Sequence, residues 1–276
     1  MTASTISDSV LLNNGVSMPW MGLGVWQGVP RDGEDVVASI LHALSTGYRS
    51  IDTAAGYENE IGVGKAIRES GIARDEIFVT TKVRNSDQGY EKTLAAFEES
   101  RNKLGLDYID LYLIHWPNLE KLTETWRAFE KLHDEGLVRA IGVSNFQTRH
   151  LEPLQSIANI PPAVNQVEYH PLLTQNSLHE FCVQHDIQLE AWSPLMKGNL
   201  NQEAIVQIAQ KYGKTPAQIV LRWDLQNKVV TIPKSIQPAR IRENADVFDF
   251  QLADEDMVRI SDLNEDKRFS KYPENY

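Results

Sequence analysis

Short apolar runs alternate with stretches of helical periodicity along most of the chain. Eight runs have strand character: Met21 to Trp26, Ser50 to Thr53, Ile77 to Val83, Tyr108 to His115, Val138 to Ser144, Ala163 to Tyr169, Ile187 to Ser193 and Val229 to Pro233. Several are apolar on both faces, as Ile109-Asp110-Leu111-Tyr112-Leu113-Ile114 nearly is. Such runs suit parallel strands covered by helices better than half-exposed antiparallel ones. Between them, Leu122, Trp126, Phe129 and Leu132 recur at three- and four-residue spacing, as do Ile205, Ile208, Ala209 and Tyr212. Thr215-Pro216 reads as an N-cap followed by proline at the first helical position. Strict strand–helix alternation predicts a parallel sheet, and eight units favour closure into one α/β domain, a (β/α)8 TIM barrel over residues 1–276.

Both ends depart from this alternation. Val10-Leu11-Leu12-Asn13-Asn14-Gly15-Val16 places two apolar stretches around an Asn-Gly turn, which predicts an N-terminal β-hairpin able to plug the bottom of the barrel. Beyond residue 245 the pattern predicts an extra C-terminal helix, Asp254 to Leu263, and then a polar tail.

Composition narrows the function. The 276 residues are 42% hydrophobic and 24% charged, as in an ordinary globule. No apolar run approaches the ~20 residues of a membrane span, and the first ten residues lack a basic start and apolar h-region. A net charge of −11 disfavours nucleic acid and anionic membranes as partners. Cys182, the one cysteine, excludes an intrachain disulfide and a multi-thiolate metal site, and its apolar context reads as a core thiol. A cytoplasmic location is expected.

Several motifs are decoys. Gly22-Leu-Gly24-Val-Trp-Gln-Gly28 is one residue too long for a dinucleotide fingerprint. Gly64-Lys65 has no P-loop context, the seven histidines have no metal-ligand spacing, and neither Ser144 nor Ser193 lies in a Gly-x-Ser-x-Gly elbow.

In a barrel, chemistry sits at the C-terminal strand ends. Those positions carry Asp52, Lys82, His115, Ser144, Asn145, Gln166, Trp192 and Lys234. Lys82 closes a strand, so its ammonium points into a partly enclosed space and needs a carboxylate to stay charged. Asp52, on the neighbouring strand, is placed to supply it. Tyr57 follows in the next loop. A phenol titrates near ~10, and an adjacent cation favours phenolate and lowers that value. His115 can hydrogen-bond a substrate oxygen.

Asp52-Thr-Ala-Ala-Gly-Tyr57-Glu-Asn-Glu, Lys82 and Ile114-His115-Trp116-Pro117 resemble the aldo-keto reductase superfamily. So do Ile141-Gly-Val-Ser144-Asn145-Phe146, Val164-Asn-Gln166-Val-Glu-Tyr-His-Pro171 and Ile232-Pro-Lys234-Ser235. The resemblance spans roughly residues 10 to 265 and is strongest to small bacterial members of the glyoxal/methylglyoxal reductase and 2,5-diketo-gluconate reductase type. It implies NADPH-dependent reduction of a small-molecule carbonyl, with Tyr57 as proton donor, Lys82 and Asp52 tuning it, and His115 orienting the carbonyl.

The resemblance also implies cofactor contacts. Ser144, Asn145 and Gln166 would hold the nicotinamide carboxamide, and Trp192 would stack on its ring. Lys234, Ser235 and Arg240 would take the 2′-phosphate, with Glu243 and Asn244 against adenine. Gly24, Val25, Trp26, Asp52, Ser193 and Leu195 complete the expected cofactor set. Trp26, Tyr57, His115 and Trp116 are expected around the substrate. Arg84 departs from the aromatic residue of many relatives and is a further expected substrate contact. No metal is expected, and a monomer is. The rival reading is a redox-sensing regulatory protein that binds NADPH with little turnover, against which the intact Asp52–Tyr57–Lys82–His115 set argues.

Overall fold

The computed structural model describes residues 3–26 and 33–270. It opens on an antiparallel hairpin, β1 (Ser9–Leu11) and β2 (Ser17–Pro19). The turn forms where the Asn-Asn-Gly sequence predicts: Leu12 N donates to Val16 O at 2.9 Å, and Gly15 takes φ +84°. That left-handed backbone suits glycine, which has no Cβ to clash. Asn13 donates to Pro162 O at 3.1 Å and Asn14 to Arg139 O at 2.9 Å. Both acceptors lie at the N-terminal ends of barrel strands, so the hairpin sits under the barrel, away from the catalytic end.

Eight parallel strands follow: β3 (Leu23–Gly24), β4 (Ser50–Asp52), β5 (Phe78–Val83), β6 (Ile109–Ile114), β7 (Val138–Ser144), β8 (Val164–Glu168), β9 (Gln188–Trp192) and β10 (Val230–Thr231). Each falls inside one of the eight expected runs. Neighbours pair in sequence order from β3 to β10. The circle closes through a parallel bridge, Met21 to Thr231, supported by Gly22 N to Thr231 O at 3.0 Å and Thr231 N to Trp20 O at 3.1 Å. The two seam strands are shorter than their apolar runs because much of their pairing is through these single bonds and not a continuous ladder. At the seam a Cβ on Gly24 would lie 2.9 Å from Ile232 O, so only glycine permits the approach.

The outer layer comprises α1 (Glu34–Ser45), α2 (Glu60–Glu69), α3 (Tyr90–Leu104), α4 (Leu122–Asp134), α5 (Thr148–Ile157), α6 (Asn176–Gln184), α7 (Glu203–Tyr212), α8 (Pro216–Gln226), α9 (Pro238–Ala245) and α10 (Asp254–Ser261). The last is the extra C-terminal helix, ending two residues before the expected Leu263. On α4 the stripe Leu122, Trp126, Phe129 and Leu132 is buried, and Phe129 stacks on Tyr112 of β6 at 4.6 Å between centroids. Periodicity in the sequence thus becomes helix-on-sheet packing. Cys182 is buried on α6, and burial pushes its thiol up to about 12, so it stays protonated and unreactive.

Thr215 caps α8 as its sequence predicts. Its Oγ1 accepts from Gln218 N at 3.3 Å, and Gln218 Oε1 accepts from Thr215 N at 2.9 Å. The same hydroxyl donates to Glu243 Oε1 at 2.8 Å and so ties α8 to α9. Thr215→Ala is expected to lower stability by about 1 kcal/mol, measured as a fall in the urea midpoint with the m-value unchanged. No helix among the described residues is long and apolar enough to cross a membrane.

Candidate active site

The C-terminal ends of β4, β5 and β6 bring together the charged residues expected there. Asp52 ends β4, and the 3₁₀ turn Ala55–Tyr57 folds Tyr57 back over it. Lys82, on β5, has no solvent exposure. Its ammonium donates to Asp52 Oδ1 at 2.6 Å and to Thr53 O at 2.9 Å, and lies 3.5 Å from the Tyr57 hydroxyl. Burial works to strip the Lys82 proton, but the Asp52 carboxylate outweighs it, with help from Tyr57 and Glu190, and holds the amine above its ordinary value. Lys82 therefore stays a cation.

Tyr57 does not titrate in the direction the sequence suggests. Lys82 does favour phenolate, but burial is the larger effect, and Asp52 and Glu190 add negative charge. The phenol is pushed up to about 12. At neutral pH Tyr57 is thus fully protonated, the state a proton donor requires. His115 follows β6, with its ring edge-on to Tyr57 at 5.6 Å. Burial, then the positive charges of Lys82 and Arg84, lower its imidazole to about 3. A neutral imidazole offers one N–H donor and one acceptor.

A cavity of about 1230 Å³ opens beside this cluster. One wall carries Ser144, Asn145, Gln166 and Trp192. Asn145, in left-handed backbone at φ +64°, donates to His115 O at 2.9 Å and to Ser144 Oγ at 3.1 Å. Its Oδ1 accepts from Trp192 Nε1 at 3.0 Å. Ser144 Oγ donates to Gln166 O at 2.8 Å. Gln166 Nε2 donates to Asp52 Oδ2 at 2.7 Å and to Glu190 Oε2 at 2.8 Å, which leaves its carbonyl oxygen to face the cavity.

At the far end lie Lys234, Ser235, Arg240, Glu243 and Asn244, the last three on α9. Among the described residues neither Lys234 nor Arg240 has a carboxylate partner within ion-pair distance, and burial alone lowers the Lys234 amine. An anion arriving there would relieve that cost. Glu243 is engaged through its carboxylate with Thr215.

Of the other expected site residues, Gly24, Trp26, Asp52, Tyr57, His115, Trp116, Ser193 and Leu195 also line the cavity. Three expected site residues do not: Val25, Arg84 and Lys82, whose ammonium is turned to Asp52. Val25 is buried in the core and contributes its N–H to Asp52 O at 3.0 Å. Arg84 is turned aside: its guanidinium donates to Ala55 O and reaches Glu58 Oε1 at 3.5 Å. The backbone acceptor and the loop carboxylate draw it away from the cavity.

One buried residue escaped the sequence reading. Glu190 shares a strand face with Trp192, two positions on, so the period of a β-strand places both towards the barrel interior. Burial first, and then the charge of Asp52, push its carboxyl up to about 8. Phe269 and Ser270 also reach the cavity, held by Glu168, which accepts from Phe269 N and Ser270 Oγ at 2.7 Å each.

A closed parallel barrel with a lysine–carboxylate–phenol cluster and a long, cation-ended cavity at its C-terminal face defines a nucleotide-dependent oxidoreductase. The family model described as "Aldo/keto reductase family" matches residues 20–265, and the chain belongs to that family of NADP-dependent oxidoreductases. It is 58% identical to the glyoxal reductase of Bacillus subtilis (strain 168), over 98% of each chain. It is 46% identical to the methylglyoxal reductase DkgA of Escherichia coli (strain K12), over 97% of each. Among solved structures, a mutant of Gox0644 in complex with NADPH superposes with a TM-score of 0.92 at 44% identity, over 99% of each chain.

Proposed function

We propose that this chain, acting as one catalytic unit over residues 1–276, reduces small aldehydes and dicarbonyls to alcohols, with keto-sugars as further substrates. The observation that carries the reading is the Tyr57 hydroxyl, which lines the cavity, is protonated at neutral pH and lies 3.5 Å from the buried Lys82 ammonium. Names of close relatives, a glyoxal and a methylglyoxal reductase, support the substrate class.

The cavity fits NADPH. Its 1230 Å³ exceeds the ~300–1,000 Å³ of common small-molecule pockets, and it runs from the Tyr57 cluster to Lys234 and Arg240, which have no carboxylate partner among the described residues. Lys234, Ser235 and Arg240 would hold the 2′-phosphate, Asn244 and Glu243 would border adenine, and Ser144, Asn145, Gln166 and Trp192 would hold the nicotinamide. When bound, NADPH supplies the hydride. Everything else falls to the chain. Tyr57 gives its proton to the carbonyl oxygen, because an alkoxide is a stronger base than a phenolate. Lys82, held by Asp52, stabilises the phenolate left behind. His115 directs its single N–H at the same oxygen, and Trp26 and Trp116 exclude water around it.

Reaction and cofactor choice are tested together by following loss of NADPH absorbance with glyoxal, methylglyoxal and simple aldehydes. Turnover is expected, with kcat/KM for NADPH well above that for NADH, since arginine and lysine recognise the added phosphate. Equal values for the two cofactors would remove the 2′-phosphate assignment. NADPH binding without turnover across the panel would favour the regulatory reading. A reducing cytoplasm and a monomeric state complete the proposal, the latter checked by sedimentation.

A further inference from the structure

Beneath the Tyr57 cluster the barrel holds a second carboxylate that has no cation of its own among the described residues. Glu190 on β9 has no solvent exposure. Its Oε2 accepts from Gln166 Nε2, which also donates to Asp52, and Asp52 in turn takes the Lys82 ammonium. Contacts therefore run from Glu190 through Gln166, Asp52 and Lys82 to Tyr57, across β9, β8, β4 and β5. Glu190 Oε1 is buried without a hydrogen-bond partner. The titratable groups acting on this cluster are Asp52, Lys82 and Tyr57. Directly beside Glu190 the flanking strands place neutral side chains, Gln166 on β8 and Val230 on β10, while Glu168, two positions beyond Gln166, is engaged by Phe269 N and Ser270 Oγ.

Charge decides the state of this carboxyl. One cation faces two acids, and Asp52 holds the direct ion pair. Ionising both acids would leave the interior negative, in a place where an unpaired buried charge is costly. We propose that Glu190 is a positioning residue for proton transfer: a neutral acid near neutral pH, it ionises on the alkaline side and then opposes loss of the Tyr57 proton. Tyr57 thereby remains a donor to higher pH than Lys82 alone would allow. The carboxyl of Glu190 is itself raised, and its negative charge raises Tyr57, so the two effects agree in sign. The inference rests on the reading of Tyr57 as proton donor.

Glu190→Gln keeps the shape and still accepts from Gln166, but cannot ionise. In reduction of glyoxal, its alkaline limb is expected about one pH unit below that of the wild type. In alcohol oxidation, the acidic limb is expected to move down likewise. Infrared difference spectra of the cofactor-free protein at neutral pH are expected to show a carboxylic-acid carbonyl band present in the wild type and lost in Glu190→Gln. Glu190→Met serves the same comparisons if the glutamine variant misfolds. Superposable pH profiles, no acid band assignable to Glu190, or a uniform fall in kcat with unmoved limbs would each overturn the proposal. Turnover by Tyr57→Phe would bring down both readings. An inactive Tyr57→Phe beside an unmoved limb in Glu190→Gln would remove the Glu190 role alone.

Discussion

Tyr57→Phe is expected to lower kcat for carbonyl reduction by about 10²- to 10⁴-fold, the range that a positioned general acid contributes. The substitution removes one oxygen and keeps the ring that lines the cavity and meets His115 edge-on. NADPH affinity, read by titrating tryptophan fluorescence, should then change little. A loss confined to kcat marks a group that acts on the transition state and not on binding. Retention of a large fraction of wild-type kcat would remove Tyr57 as the acid.

Lys82→Met is expected to reduce both activity and stability. It leaves the Asp52 carboxylate 3% exposed and without its cation. Breaking a buried pair from one side costs about 3–5 kcal/mol, and the urea midpoint should fall accordingly. Combining it with Asp52→Asn removes the stranded charge, so the double variant should be more stable than the sum of the two single losses allows. Additive losses would mean that the 2.6 Å pair is not coupled. Stability restored by the double variant should not restore turnover, because Tyr57 would still lack its cation.

The fold was legible because two signals agreed along the chain. Short runs apolar on nearly both faces, such as 109–114, suit buried strands, and stripes such as Leu122, Trp126, Phe129 and Leu132 suit helices packed over them. Their alternation leaves few topologies. The site was legible for a related reason: a lysine at the end of a buried strand needs a carboxylate, and Asp52 was the neighbour able to provide it. What escaped depended on surroundings that no local pattern encodes. The direction of the Tyr57 shift is set by burial, which emerges only when the 3₁₀ turn packs against β5. Arg84 turns aside because the carbonyl of Ala55, two residues before Tyr57, and the carboxylate of Glu58, the residue after it, receive it. Glu190 was within reach of the two-residue strand period, but as a carboxylate inside an apolar strand it had no visible partner, since Gln166 and Asp52 come from distant parts of the chain.

Asn145 ties three segments of the cavity lining together with one amide. Its two donors go to the His115 carbonyl, just beyond β6, and to Ser144, and its oxygen takes the Trp192 indole. The flat plate against which the nicotinamide would lie and the backbone that aims the imidazole are therefore parts of one rigid bracket. On the proposed reading cofactor seat and substrate seat share this bracket, so a substitution at Asn145 would disturb both together.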